Sequence, residues 1–368
     1  MNGSILKKLD ILDRPEVYAA WHPNDTVRMS SSSGGAFSLL AETVIKHGGV
    51  VFGALWNKDN DVVIGAADNM ENLAKLRESK YVAAIPGNEY AVAKAYLDQG
   101  REVLYSGTPC QVAGLYSYLG NKRYSGLTTV DFICHGTPDR RAWRKYVAYI
   151  ERTCGNAIKG VRFRDKRWGV EGNLLLCFIL GNGVVKLIYG KDNTYYHGFV
   201  HDIILRRCCF SCKFNQMPRG ADLSLADYRG LGEHLPFAHE TDKVKGFSAL
   251  LVNSKHGKEF LSDLEYKSLV RRPLEEILSS QPFLVSAHRS PPETYDSFWK
   301  DFETNDWDLL AKKYLKPSLK YRFYINCRRI LGPRLFLVLG IVYKKMRGLR
   351  TTSWLPVRGA GEFVRDDM

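Results

Sequence analysis

Three of the chain's eight cysteines stand within five residues, in the stretch "RRCCFSCKF". Cys209 and Cys212 form a CxxC pair, and the short turn between them can point both sulfurs at one metal centre. Cys110 in "GTPCQ" and Cys134 in "ICHGTP" each follow a predicted strand, in loops whose Gly and Pro residues would expose the sulfur. Together these four thiols are the usual complement of a structural zinc ion or a cubane iron–sulfur cluster.

The cellular compartment helps to choose between metal binding and disulfide bonds. The N-terminus lacks the continuous apolar region of a signal peptide, and no stretch reaches the roughly 18 apolar residues of a membrane-spanning helix. We therefore expect a cytoplasmic protein, in which clustered thiols stay reduced and bind metal or do redox chemistry. Cys177, inside "LLLCFIL", is instead predicted to be a buried core residue.

The elements that must position these thiols are predicted to form a mixed α/β fold. Strands such as "VVFGALW", "EVLYSG" and "LTTVDFICHG" alternate with helices, which favours a mixed-sheet core with flanking helices. In the middle of the chain, "IKGVRFRDK", "GNLLLCFIL" and "GVVKLIYG" predict an antiparallel, strand-rich section. Ligands of open α/β sheets gather at the carboxyl ends of strands, where "GTPC" and "CHGTP" are expected.

The positive charge is concentrated in the C-terminal part of the chain. Of the net charge of +14, residues 309–350 contribute twelve Lys and Arg with no Asp or Glu, which leaves about +2 for the rest. This distribution argues against nucleic acid as the partner of the body of the protein. The run "LFLVLGIV" suits a helix lying on anionic lipid at the inner face of the membrane, and a helix packed on the body is the alternative.

Six motifs resemble, in their order, the coenzyme F420 hydrogenase/dehydrogenase beta-subunit family over about residues 30–260. They are "SSSGGAF", "SKYVAAIPGNEYAVAKAYLDQGREVLYSGTPCQVAGL", "VDFICHGTP", "VRFRDKRWG", "CCFSCKF" and "RGADLSLADYRG". The resemblance implies an FAD next to a [4Fe–4S] cluster, with electrons passing between ferredoxin-type centres and a two-electron organic acceptor. It also implies that the cluster ligands are Cys110, Cys134, Cys209 and Cys212, and so it selects Cys209 over Cys208.

A flavin site needs backbone N–H donors, small residues and positive charge near the pyrophosphate. With the resemblance, the expected cofactor-binding residues are Ser31, Ser32, Ser33, Gly34, Gly35, Lys80, Tyr81, Gly107, Thr108, Gln111, Arg164 and Asp227. Simpler interpretations stay open for each of them. The serines can cap the following helix, Lys80 can be a surface residue, and Asp227 can stabilise a turn.

The predicted catalytic residues are His135 and Lys166. His135 stands next to a predicted cluster ligand, where it could tune the cluster or transfer protons, or could only bond within its own loop. Lys166 stands with Arg164 and Arg167 in "FRDKRWG", at a predicted strand end. These cations could bind phosphate or carboxylate, and a solvated cationic edge is the alternative.

Two departures from the family pattern bear on the function. In "ADLSLADYRG", Arg229 follows Tyr228 where the family commonly has Trp, so the ring packing and the choice of substrate come into question. Many bacterial relatives begin with a ferredoxin domain, whereas no cysteine precedes Cys110 in this chain. Electrons are therefore expected either from a separate ferredoxin-like protein or from a ferredoxin domain that this sequence does not include.

The predicted organisation is a lead-in at residues 1–29, an N-terminal α/β domain at 30–125, a domain with the cluster cysteines at 126–290 and a basic helical tail at 291–368. The predicted function is an iron–sulfur flavoprotein oxidoreductase that passes electrons from a ferredoxin-like donor through the cluster and FAD to a small organic or sugar-derived acceptor. By analogy with bacterial relatives, it would serve polysaccharide biosynthesis. Two alternatives are a zinc-stabilised transferase of similar fold and a non-catalytic electron-transfer or scaffold subunit of a larger complex.

Overall fold

The computed structural model describes residues 3–315, apart from 86, 169–174, 190–191, 215, 233, 263, 265–267, 279 and 285–288. The basic helical tail predicted for the C-terminus therefore lies outside the described residues from 316 onward. Within the described part of the chain, no helix is long and apolar enough to cross a membrane.

The described residues form one large mixed sheet and one small antiparallel sheet. The strands are β1 (Ile11–Ala20), β2 (Val50–Trp56), β3 (Val62–Ala67), β4 (Val103–Ser106), β5 (Leu127–Phe132), β6 (Ile158–Phe163), β7 (Leu176–Leu180), β8 (Val185–Ile188), β9 (Leu223–Asp227), β10 (Ser248–Ser254) and β11 (Leu269–Arg272). The large sheet has the order β11-β1-β10-β9-β5-β4-β2-β3, and β6-β7-β8 form the small sheet. The mixed-sheet core and the antiparallel middle section are thus confirmed.

Helices cover both faces of the large sheet. They are α1 (Gly3–Lys8), α2 (Asp25–Met29), α3 (Ala36–Lys46), α4 (Met70–Leu76), α5 (Glu89–Asp98), α6 (Pro109–Tyr118), α7 (Arg140–Cys154), α8 (Thr194–Val200), α9 (Lys255–Ser262), α10 (Glu275–Leu278), α11 (Tyr295–Phe302) and α12 (Trp307–Tyr314). Because side chains alternate along a strand, Val51 and Leu104 pack with α3, while Val50 and Val103 pack with α5 and α6 on the opposite face.

The centre of the large sheet is parallel. β2, β4, β5 and β9 run in one direction, with β4 paired to β2 and β5, and β5 paired to β9. Along β4 and β5 nearly every residue is buried, as expected where helices cover both faces of a parallel sheet. The carboxyl ends of β4, β5 and β9 consequently open side by side at one edge.

The three segments predicted as lead-in, N-terminal domain and cysteine-bearing domain all contribute strands to the large sheet. β1 comes from residues 1–29, β2 to β4 come from 30–125, and β5, β9, β10 and β11 come from 126–290. The domain boundaries themselves stay a prediction.

Two local predictions near the helix starts are wrong. The serines before α3 were expected to cap it, but Gly35 takes the N-cap position with φ 88° and no side-chain hydrogen bond. Glycine adopts this left-handed conformation without strain. Cys110 was expected in a loop, whereas α6 begins at Pro109 and places Cys110 in its first turn. Proline suits that turn because its missing N–H would have no partner there.

Candidate functional site

Three segments of the chain place the four predicted ligand cysteines at one edge of the large sheet. β4 ends before residues 107–110, and β5 ends two residues before Cys134. A short 3-10 helix, Arg207–Ser211, carries Cys209, and Cys212 follows it directly. β9, between β5 and β10, ends at Asp227 on the same edge. The edge is therefore built as expected for an α/β ligand site.

The four thiols predicted to be ligands lie in one neighbourhood. Burial raises the pKa of Cys134 to about 12, and Cys209, Cys110 and Cys212 each add to this rise. The side chain of Cys110 is exposed, yet the protein around it still desolvates the thiol and raises its pKa, and Cys212 and Cys209 contribute again. Because such electrostatic coupling falls off with distance, the four thiols lie near one another. A metal centre there would offset the repulsion between neighbouring thiolates.

The four thiols are a donor set that suits either a structural zinc ion or a [4Fe–4S] cluster. Among the described residues, no group of three or more His, Cys, Asp or Glu side chains is arranged to hold a metal ion. The described cysteines are all free thiols, which leaves the four sulfurs available as ligands. The [4Fe–4S] cluster that the resemblance implies therefore stays a prediction.

Backbone amides already point at two of the sulfurs. The N–H of Gly136 donates to Sγ of Cys134 at 3.4 Å, and the N–H of Thr137 donates to Sγ of Cys209 at 3.5 Å. Such bonds stabilise the negative charge of a thiolate ligand. A Cβ at Gly136, whose φ is 120°, would lie 2.9 Å from Cδ1 of Leu205, so the loop needs glycine to approach this closely.

Thr108 and Gln111 fix the helix turn that carries Cys110. Oε1 of Gln111 accepts the backbone N–H of Thr108 at 2.8 Å, and Oγ1 of Thr108 accepts the N–H of Gln111 at 3.4 Å. This capping box also brings Oγ1 of Thr108 to 3.1 Å from Sγ of Cys110. The N–H of Gly107 bonds to the carbonyl of Val130 at 3.1 Å. Thr108 and Gln111 thus position a cysteine, and their predicted flavin contacts stay a prediction.

The two adjacent cysteines have different surroundings. Cys208 is exposed, whereas Cys209 is half-buried and receives the amide of Thr137. The backbone N–H of Cys209 bonds to the carbonyl of Arg206 at 2.9 Å, which fixes the start of the turn. These contacts favour Cys209 as the ligand.

His135 belongs to a charged group next to the loop that carries Cys134. Its Nε2 lies 2.8 Å from Oδ1 of Asp202, a close contact that lacks the alignment of a hydrogen bond. The ring packs edge-on against Phe199 and Phe283, at 4.9 and 4.8 Å between ring centres. Arg289 completes the group by pairing with Asp202. Sequence reasoning missed Asp202 and Arg289, because no local motif marks a contact over this distance along the chain.

The serine loop before α3 is bonded into the protein. The hydroxyl of Ser31 donates to the carbonyl of Val27 at 2.8 Å, that of Ser32 accepts the N–H of Ser79 at 2.7 Å, and that of Ser33 donates to the carbonyl of Phe247 at 2.7 Å. A Cβ at Gly34 would lie 2.4 Å from the carbonyl oxygen of Ala20, so this backbone contact requires glycine. The three hydroxyls bond to protein here, and their contact with a pyrophosphate stays a prediction.

Lys80 and Tyr81 also face the protein. Nζ of Lys80 donates to three carbonyls near the end of α4 at 2.7–3.5 Å, where the helix carries its partial negative charge. Burial lowers the pKa of Lys80 to about 8. The ring of Tyr81 packs against Phe163 and Phe199, at 5.4 and 4.9 Å between centres. Both residues thus contribute to packing, and their flavin contacts stay a prediction.

Lys166 joins three segments of the chain. Its Nζ donates to the carbonyls of Arg28 at 2.7 Å, Lys245 at 2.9 Å and Ser33, and the residue is only 3% exposed. Burial lowers the pKa of Lys166 to about 7, and Arg164 and Arg28 add to this effect. Since an ammonium has three N–H donors, all of them are used. Lys166 therefore holds these segments together, and its catalytic role stays a prediction.

Arg164 and Asp227 form an ion pair at the carboxyl end of β9. The guanidinium of Arg164 lies 2.9 Å from the carboxylate of Asp227. Burial alone would raise the pKa of Asp227, but Arg164 and Arg229 hold it below its ordinary value. Arg229, which stands where the family commonly has Trp, thus adds positive charge at this edge. The cationic edge predicted here is neutralised in part by the ion pair.

Comparison with known proteins identifies part of the chain. Residues 100–275 match the family model that describes the C terminus of the beta subunit of coenzyme F420 hydrogenase/dehydrogenase. A chain of the xenon-derivatised F420-reducing [NiFe] hydrogenase complex from Methanosarcina barkeri is similar in structure, with 16% identity and a TM-score of 0.47, over 88% of this chain and 95% of that chain. No curated protein matches the sequence.

Proposed function

We propose that the chain is an iron–sulfur redox protein of the coenzyme F420 hydrogenase/dehydrogenase beta-subunit family, whose [4Fe–4S] cluster is held by Cys110, Cys134, Cys209 and Cys212. The ordered motifs predicted this family, and the match over residues 100–275, which include all four cysteines, confirms it. The family gives the chain an oxidoreductase or electron-transfer role.

The convergence of four thiols from three separate segments is the observation that carries the proposal. Each segment is held by its own contacts: the capping box at Thr108, the amides of Gly136 and Thr137, and the 3-10 helix at Arg207–Ser211. When bound, the cluster supplies one-electron transfer. The chain holds the thiols in place and partly shields Cys134 and Cys209 from water.

A ferredoxin-like electron donor is the proposed partner. Cys110 and Cys208 are exposed, so the candidate cluster edge faces the surface. Arg206, Arg207 and Lys213, which flank this edge along the chain, are exposed as well. Cations around a surface redox centre attract an acidic carrier and orient it on approach. An acidic, one-electron carrier therefore fits this face.

FAD and a two-electron organic acceptor complete the proposal. A flavin accepts two electrons together and releases them singly, so it would connect the cluster to a hydride acceptor. This part rests on the family, because the side chains predicted to hold the flavin bond to protein. The acceptors to consider are a deazaflavin such as coenzyme F420, a sugar-derived intermediate of polysaccharide biosynthesis and a quinone-like molecule. A cytoplasmic location, with the basic tail on the inner face of the membrane, belongs to the same proposal.

Anaerobic purification tests this function. We expect a brown protein whose cluster is bleached by dithionite and by a reduced acidic ferredoxin, and whose extracted flavin is FAD. Reduced protein should then transfer electrons to one of the three acceptor classes. A colourless protein with stoichiometric zinc would instead support the zinc-stabilised transferase. A cluster without flavin and without any acceptor would support an electron-transfer or scaffold subunit.

A further inference from the structure

We infer that Arg289 is a positioning residue that locks the loop of Cys134 onto the segment of Cys209. The inference rests on the proposed function, because that function supplies the cluster. The contacts of Arg289 with the two cysteine segments, which we call the lock, belong to the chain itself. Arg289 lies beyond residues 100–275, so the family match does not include it.

The guanidinium of Arg289 bridges the two segments by its polar contacts. Its Nη2 donates to the backbone carbonyl of His135, the residue after Cys134, and lies 3.0 Å from Oδ1 of Asp202. Its Nε lies 2.8 Å from Oδ2 of Asp202, and both side chains are less than one-fifth exposed. The same Asp202 contacts the ring of His135. One arginine thus holds the cysteine loop both directly and through a shared carboxylate.

The apolar contacts of Arg289 reach the other cysteine segment. Its guanidinium carbon lies 5.6 Å from the ring centre of Phe210, the buried residue directly after Cys209, and 4.9 Å from that of Phe283. The backbone N–H of Arg289 also bonds to the carbonyl of Phe210 at 3.4 Å. Cation–π contacts of this kind strengthen as the site becomes drier. Arg289 therefore touches the neighbour of each of two candidate ligands.

The planar shape of arginine is required for this role. A Cβ placed at Gly136 would lie 3.4 Å from Nη2 of Arg289, so the guanidinium lies against the loop. A lysine ammonium is a point charge and cannot bond to the carbonyl of His135 and both oxygens of Asp202 while covering two rings. We therefore expect Arg289→Lys to retain the charge but only part of the lock.

The test compares Arg289→Gln and Arg289→Lys with Arg152→Gln. Arg152 is the control, because it also pairs with two carboxylates, Asp306 at 3.1 Å and Asp308 at 3.5 Å, at the C-terminal end of α7. In the metal-free protein, alkylation of Cys134 is followed by peptide mass spectrometry. In the reconstituted protein, the rate of cluster loss in air is measured.

The lock predicts that Arg289→Gln speeds the alkylation of Cys134 and speeds cluster loss about 10-fold, as for other residues that orient metal ligands. Arg289→Lys should lie between it and the wild type, and Arg152→Gln should match the wild type. Equal rates in all four proteins would overturn the inference. If Arg289→Gln is unfolded at the assay temperature, the rates of Arg289→Lys decide. A wild type that takes up no iron and sulfide would refute the proposed function alone, since the alkylation rates still report on the lock.

Discussion

The backbone N–H of Thr137 donates to Sγ of Cys209 at 3.5 Å, across two segments that are far apart in the sequence. Thr137 belongs to the loop that carries Cys134, so this bond joins two of the candidate ligand segments. The loop also pairs with the chain before Cys209, through the bond from the N–H of Arg206 to the carbonyl of Thr137 at 3.0 Å. These two bonds therefore hold two of the candidate ligand segments together.

Replacing Cys209 should have a much larger effect than replacing Cys208. In Cys209→Ser we expect most of the iron and sulfide to be lost, because a serine hydroxyl is a far weaker ligand than a thiolate. Cys208→Ser should keep a cluster content close to that of the wild type, because Cys208 is exposed and Cys209 receives the amide of Thr137. Iron and sulfide are quantified after anaerobic reconstitution. Equal loss in both variants would show that the adjacent thiols substitute for each other.

Breaking the capping box should loosen the turn of Cys110. Thr108→Ala removes the oxygen that accepts the N–H of Gln111, and such a change costs about 1 kcal/mol of unfolding free energy. Thr108→Ser retains the hydroxyl and serves as the matched control. Urea unfolding of the metal-free variants measures the difference. Equal losses in Thr108→Ala and Thr108→Ser would show that the methyl group, and not the cap, carries the stability.

Asp222 is the centre of a buried hydrogen-bond network, and its charge should be essential for stability. Its carboxylate accepts from the N–H and hydroxyl of Thr129 at 2.9 and 2.8 Å and from the hydroxyl of Ser254 at 2.6 Å, and it pairs with Arg123 at 3.1 Å. Asp222→Asn should lower the unfolding free energy by about 3 kcal/mol, because it removes the charge that pairs with Arg123 and replaces one acceptor oxygen by an NH2 group that faces the same donors. Asp296→Asn, in an exposed pair, is the control and should change stability far less. Comparable losses in urea unfolding would contradict this ranking.

His197 should make the protein less stable as the pH falls from about 6.5 to about 4. Burial lowers the pKa of His197 from 6.5 to about 4, and His201 adds to the shift. Between these values the unfolded chain binds a proton that the folded chain does not, so stability decreases as the pH falls. The loss should reach about 3 kcal/mol below pH 4.

The test of this pH effect is the slope of unfolding free energy against pH. His197→Asn should flatten the slope between pH 6.5 and 4. An unchanged slope in His197→Asn would show that other groups cause the acid sensitivity.

Much of the architecture could be predicted because it depends on local patterns. The hairpin of β2 and β3 follows from two apolar runs and a polar turn, and the burial of Cys177 follows from its apolar neighbours. The capping box at Thr108 and Gln111 can also be predicted from the sequence, because Thr and Gln three residues apart at a helix start are its signature. The predicted strands end at the edge where the cysteines lie, so the position of the cysteines could also be predicted from the sequence.

The rest of the site depends on contacts that the sequence does not display. Whether the serines before α3 face a ligand or the protein is decided by the backbone of other segments, such as Phe247 and Ser79. The ammonium of Lys166 finds its acceptors on three distant carbonyls, which any residue type could provide. Asp202 and Arg289, which form an ion pair, are likewise far apart in the sequence. Backbone acceptors and long-range ion pairs leave no pattern in the residues that take part.

The iron and acid-labile sulfide content of the anaerobically purified wild-type protein tests the central claim most directly. If Cys110, Cys134, Cys209 and Cys212 hold a [4Fe–4S] cluster, the protein contains about four iron and four sulfide per chain, and dithionite reduction gives the electron paramagnetic resonance signal of a reduced cubane. Stoichiometric zinc without sulfide, or no metal after reconstitution under anaerobic conditions, would contradict the account.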